Sequence, residues 1–126
     1  MKKTDVIKAV TQLGYDFNQY CIIMGSAMVM HELKESTNDI DIGCSSELFQ
    51  QLLLQGYTFS INSIGLKKII IENHIELFEG WLAEEVDEID GLPVASLSDI
   101  IKMKEKLGRP KDINDINIIK SKLGIY

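Results

Sequence analysis

The sequence predicts an α/β fold: a mixed sheet of about five strands with flanking helices and a C-terminal helical pair. Two observations carry that expectation. Short apolar runs of strand length alternate along the chain with segments of helical period, and the last third holds two helical stretches separated at Gly108-Arg109-Pro110. At 126 residues, with 45% hydrophobic and 25% charged side chains, the composition is that of one globular domain, 1–126, with one core.

Thr4 is placed to cap a first helix whose Val6, Ile7, Val10 and Leu13 recur at helical spacing before Gly14 ends it. A strand near 19–24 follows, then an almost uniformly apolar helix from Ser26 to about Glu35, expected to be buried. After the polar bend Ser36-Thr37-Asn38 comes a strand at Asp39–Gly43. Ser45 or Ser46 caps a third helix, with Leu48, Phe49, Leu52 and Leu53 inward and Gly56 at its end. Residues 57–62, 66–72 and 74–79 read as strands, the last two joined by a tight turn at Glu72-Asn73-His74. A less regular acidic stretch runs to Gly91, and Leu92-Pro93-Val94 is a short extended piece. Ser96-Leu97-Ser98-Asp99 has capping-box form and starts a helix with Leu97, Ile100, Ile101 and Leu107 inward. Gly108 stops it, and Pro110 suits the first turn of a final helix carrying Ile113, Ile116, Ile119 and Leu123.

Composition excludes several functions. No apolar run is long enough to span a membrane, and Met-Lys-Lys-Thr-Asp does not open a signal peptide. Cys21 and Cys44 stand far apart outside any Cys-x-x-Cys pattern, which fits a reduced, cytoplasmic protein with buried cysteines. A net charge of −6 argues against a wholly basic nucleic-acid surface. The charge is uneven: eight acids and no Lys or Arg lie in 72–90, whereas 102–111 hold five bases and one acid. There is no Walker A pattern, Gly-x-Gly-x-x-Gly or Gly-x-Ser-x-Gly, so neither a P-loop ATPase nor a serine hydrolase is suggested.

Chemistry concentrates in two places. Gly25-Ser26 lies where a strand gives way to a helix, so its backbone N–H groups suit a phosphate. Asp39 and Asp41, at i and i+2 on the next strand, face the same way, and paired carboxylates need a cation such as Mg²⁺ or Mn²⁺ between them. Either motif alone is common, but their succession on strand, helix and strand is specific. A third carboxylate on a neighbouring strand would complete such a site; Glu76 is the best candidate, with Glu79 and Glu72 behind it. The second constellation is Lys104 … Gly108-Arg109-Pro110-Lys111-Asp112 … Asp115. It reads either as a convergent anion site or as a salt-bridged helical corner, and the two readings are compatible.

Met24-Gly25-Ser26-Ala27-Met28 … Thr37-Asn38-Asp39-Ile40-Asp41-Ile42 resembles the signature of the nucleotidyltransferase (DNA polymerase beta-like) superfamily. The tail from Leu92 to Ile116 is similar to small bacterial members, the lincosamide nucleotidyltransferase-like and abortive-infection toxin-like proteins. The resemblance implies that Gly25 and Ser26 hold a triphosphate, that Asp39, Asp41 and Glu76 are catalytic and ligate two Mg²⁺ ions (or Mn²⁺), and that Lys104, Arg109 and Lys111 contact phosphates. The implied reaction is attack of an acceptor hydroxyl on the α-phosphorus of a nucleoside triphosphate such as ATP. The acceptor stays open between a small molecule, tRNA and a protein. Glu76 stands where the family commonly has Asp, and no large C-terminal domain follows to bind an acceptor. A homodimer, a partner subunit, or a non-catalytic role in a toxin–antitoxin or defence pair are the corresponding alternatives.

Overall fold

The computed structural model describes residues 1–124. Five helices, α1 (Lys3–Leu13), α2 (Met24–Met30), α3 (Ser46–Leu54), α4 (Leu97–Leu107) and α5 (Pro110–Leu123), accompany seven strands. The strands are β1 (Tyr20–Ile23), β2 (Ile40–Cys44), β3 (Ser60–Ile61), β4 (Lys67–Ile71), β5 (Ile75–Glu79), β6 (Val86–Ile89) and β7 (Leu92–Ala95), in the sheet order β3-β4-β5-β2-β1-β7-β6. The sheet is mixed: β2 runs parallel to β5 and β1 to β7, and the remaining pairs are antiparallel.

Seven strands replace the expected five or so because the acidic stretch is not irregular. Val86-Asp87-Glu88-Ile89 pairs antiparallel with β7 through a two-residue turn in which Asp90 and Gly91 have φ of 51° and 79°. Acidic residues are poor strand formers, which hid β6, but Asp-Gly between the two segments is a strong hairpin signal. The β4–β5 turn behaves as expected, with Glu72 and Asn73 both at positive φ. Two helix boundaries differ from expectation. Lys2, not Thr4, occupies the N-cap of α1. Helix α2 begins at Met24 and ends at Met30, and Glu32 at φ 62° turns the chain away before Glu35. Ser45 caps α3, its hydroxyl accepting from the Leu48 N–H.

Register explains how one face becomes core and the other becomes site. Pairing aligns Ile69, Leu77, Ile42, Ile22 and Val94 in one row across five strands, and all five are fully buried. They share a core with Val6, Val10, Phe49 and Leu52 from α1 and α3. The adjacent row, on the opposite face because side chains alternate, reads Ile70, Glu76, Asp41, Ile23. The next row on that face puts Gly43 beside Phe78.

Helix α5 departs from the expected apolar stripe. Ile119 is buried, but Ile113 is 56% exposed and Leu123 44%, while Asp112 and Asp115 are buried. The face of α5 turned inward is thus partly ionic, and Lys104 of α4 meets it.

Candidate active site

Strand pairing sets Asp41 directly opposite Glu76 across the parallel β2–β5 ladder. Two carboxyl groups this close cannot both ionise freely. Burial first, then the hydrogen bond and charge of Glu76, and then the charge of Asp39 push Asp41 up to about 7, opposed by Lys104. One oxygen of Asp41, Oδ1, is buried without any hydrogen-bond partner. Asp39, expected on the strand, lies instead in the bend just before β2; it is exposed and lines the same space.

Two adjoining cavities meet at Asp39 and Asp41. The first, about 370 Å³, is bounded by Gly25, Lys34, the Ser36–Asn38 bend and Lys104. The second, about 330 Å³, is bounded by Asn62, Ser63, Lys68, Glu76, Phe78 and Trp81. Met24, Arg109 and Lys111 border both. Met24 has φ 57°, a strained position for a residue with a side chain, at the turn that presents Gly25 to the first cavity.

Gly25 has ample room on the protein side: a Cβ there would meet only Thr37 Oγ1, at 3.5 Å. Ser26, expected beside a phosphate, is instead fully buried and borders neither cavity. Its hydroxyl donates to the Ile23 carbonyl at 2.8 Å and accepts the Asp41 N–H at 3.0 Å. Ser26 therefore joins the β1–α2 turn to β2 and fixes where Asp41 sits.

The basic corner is mostly self-paired. Lys104 is 3% exposed and its Nζ lies 3.0 Å from Asp115 and 3.5 Å from Asp112. Arg109 grips Asp112 through Nε at 2.6 Å and Nη2 at 3.1 Å. Burial alone would raise the Asp112 carboxyl, but hydrogen bonds from the Arg109 side chain and backbone hold it below its ordinary value. Asp115 is held low in the same way by Lys104 and Lys34. Lys111 is exposed and makes no ion pair among the described residues. Salt-bridged corner and cavity wall are the same structure.

Sequence reasoning missed three contributors. Lys68 donates to Glu76 Oε1 at 3.0 Å. Its parity on β4 across the Glu72-Asn73 turn was the available signal. Lys34 reaches Asp115 at 3.0 Å from beyond α2, and nothing local marks it. Gly43 is the third, and in sequence it reads as an ordinary strand residue. A Cβ there would lie 1.8 Å from the Trp81 carbonyl oxygen, so the missing side chain lets the segment after β5 cross β2. That crossing sets Trp81 against Phe78, ring centroids 5.8 Å apart and edge to face.

A hard divalent cation fits the donor set in part. The facing Asp41 and Glu76 carboxyls and the orphaned Asp41 Oδ1 mark a place where a positive charge would be stabilised. No three His, Cys, Asp or Glu side chains converge closely enough to form a ready-made cage among the described residues. The fit is for a cation held by Asp41 and Glu76, with Asp39 nearby. Cys21 and Cys44 are free and buried, and burial raises both thiols, that of Cys44 to about 12. Among the described residues, no helix is long and apolar enough to cross a membrane.

No protein-family model and no curated protein sequence matches the chain. Among solved structures it is similar to the crystal structure of ANT(2″)-Ia in complex with adenylyl-2″-tobramycin. The TM-score is 0.59 over 94% of this chain and 85% of that one, at 16% sequence identity. The chain has a nucleotidyltransferase-like fold.

Proposed function

We propose that the chain is a nucleotidyltransferase that moves a nucleoside monophosphate from a nucleoside triphosphate such as ATP to an acceptor hydroxyl. The observation that carries this reading is the Asp41–Glu76 pair, set in register where two cavities meet. Its fold likeness to a protein solved with adenylyl-2″-tobramycin supports it, and favours a small-molecule acceptor over tRNA or a protein.

In this reading the triphosphate lies in the cavity at Gly25, where the absent side chain leaves room for phosphate oxygens and Arg109 and Lys111 supply charge. The acceptor lies in the cavity at Glu76. Glu76 lines this cavity opposite Asp41 and is placed to take the proton of an attacking hydroxyl. Ser26 and the Lys104–Asp115 pair keep the β2 and α4 walls in place. Asp41 and Glu76, with Asp39 nearby, would hold Mg²⁺ or Mn²⁺, which when bound would neutralise charge on the phosphoryl and attacking oxygens.

A second reading, nucleotide binding without transfer, is favoured by one observation: Glu76 is already ion-paired to Lys68. Two measurements separate the readings. Calorimetric titration with Mg²⁺-ATP should show binding that Asp41→Ala weakens. Incubation of wild type and Glu76→Ala with α-labelled triphosphates in a cell extract should show acceptor labelling by wild type alone. Binding without labelling by either protein favours the non-catalytic reading, and no binding of any triphosphate removes both.

A further inference from the structure

The Glu76 cavity has a base and an aromatic wall of its own, Lys68 and Trp81, that do not line its neighbour. Its acids are engaged: Asp41 and Glu76 face each other across the β2–β5 ladder, and Glu76 accepts from Lys68. Its bases have donors to spare. Lys68 uses one of three ammonium hydrogens, Lys111 has no ion-pair partner among the described residues, and Arg109 leaves part of its guanidinium free with the side chain 46% exposed. Asp39 is the exception, an exposed carboxylate at the boundary with the first cavity. One wall is aromatic, Trp81 standing partly exposed and edge to face with Phe78. A cavity of about 330 Å³ is at the small end of ligand sites.

Resting on the transferase reading, we propose that the acceptor is a phosphorylated nucleoside, its phosphate held by Lys68, its base against Trp81 and its hydroxyl at Glu76. Open N–H donors facing a cavity select an anion, and an indole wall selects a flat ring. A polyamine sugar finds the reverse of what it needs, since ammonium groups would meet lysines and carboxylates already occupied. The net charge of −6, with β6 wholly acidic in its polar positions, weighs against a long polynucleotide and toward a free mononucleotide. In the step itself the acceptor oxygen bonds to the α-phosphorus and the bond from that phosphorus to the bridging oxygen of the pyrophosphate breaks. Pyrophosphate leaves with the electron pair, and the hydroxyl proton passes to Glu76.

Trp81 is the only tryptophan in the chain, so its fluorescence reports on this cavity alone. The full chain is first saturated with Mg²⁺ and a non-hydrolysable ATP analogue, whose binding is checked by calorimetry. AMP, adenosine, a short RNA oligonucleotide and tobramycin are then titrated. AMP should change Trp81 emission saturably, with adenosine roughly tenfold weaker because it lacks the phosphate. Lys68→Gln should lower AMP affinity to about that of adenosine while leaving the analogue's affinity unchanged, and Lys68→Arg should restore it. Binding of the oligonucleotide in place of AMP would overturn the assignment of a free mononucleotide. Tobramycin binding as tightly as AMP, AMP binding indifferent to both Lys68 variants, or α-label passing to a protein but to no nucleotide would overturn the proposal. Failure of the ATP analogue to bind removes the transferase reading and this inference together. Analogue binding without any AMP or oligonucleotide signal removes the inference alone.

Discussion

Replacing Asp41 by asparagine isolates the cost of holding two carboxyl groups face to face. Asp41 is pushed from an ordinary 3.8 up to about 7, chiefly by burial and by Glu76. In the unfolded chain the same group ionises near pH 4, so between about pH 4 and pH 7 the unfolded state has lost a proton that the native state still holds. Native stability from this group therefore falls as pH rises through that window, and the loss is complete above about pH 7. At about 1.4 kcal/mol for each tenfold change in proton affinity, the ceiling is about 4 kcal/mol at pH 8. Relaxation of the pair and water entry lower it, and about 1–3 kcal/mol is expected. Asparagine cannot ionise, keeps the shape, and can donate its amide hydrogens to Glu76. Urea unfolding in EDTA should find Asp41→Asn more stable than wild type at about pH 8. That advantage should shrink steadily toward about pH 4. Adding Mg²⁺ should then raise the wild-type midpoint and leave the variant's unmoved. A variant less stable than wild type at pH 8, or an advantage independent of pH, would refute the electrostatic account of the pair.

Three further outcomes follow from the same geometry. Gly25→Ala fills open space in a helix and should raise the melting temperature, the gain being about 0.5–1 kcal/mol, while calorimetry shows weaker triphosphate binding. Gly43→Ala drives a methyl group into the Trp81 backbone and should cost roughly 3 kcal/mol or more, with a shift in Trp81 emission that Gly25→Ala does not produce. Lys104→Ala leaves Asp112 and Asp115 short of a buried cation and should cost about 3–5 kcal/mol in denaturant unfolding, whereas Lys111→Ala should stay within about 0.5 kcal/mol of wild type.

Much of the site was legible because strand parity is local. Glu76 on the face opposite Ile75 and Leu77 follows from alternation alone, and the structure agrees, whereas Asp39, expected on the strand with Asp41, lies in the bend just before β2. Residue type could not show how polar side chains are used. Ser26 looks the same in sequence whether its hydroxyl meets a phosphate or stitches Asp41 to Ile23. Lys104 looks the same as a free cation or as a buried partner of two aspartates. The acids and bases of the helix corner, legible as an anion site or a salt-bridged corner, are partly core, with Lys104, Asp112 and Asp115 buried.

The sequence by itself determined the alternation of helices and strands, which positions of each element are apolar, and a carboxylate pair beside a Gly-Ser turn. These depend on periods of two and 3.6 residues and on short-range turn chemistry. Only the tertiary structure decided that Asp41 stands in register with Glu76, that Lys68 is bound to that glutamate, and that Trp81 is carried over Gly43 into the second cavity. Those facts depend on the parallel pairing of strands far apart in the chain and on close approach of backbones, and neither leaves a periodic trace.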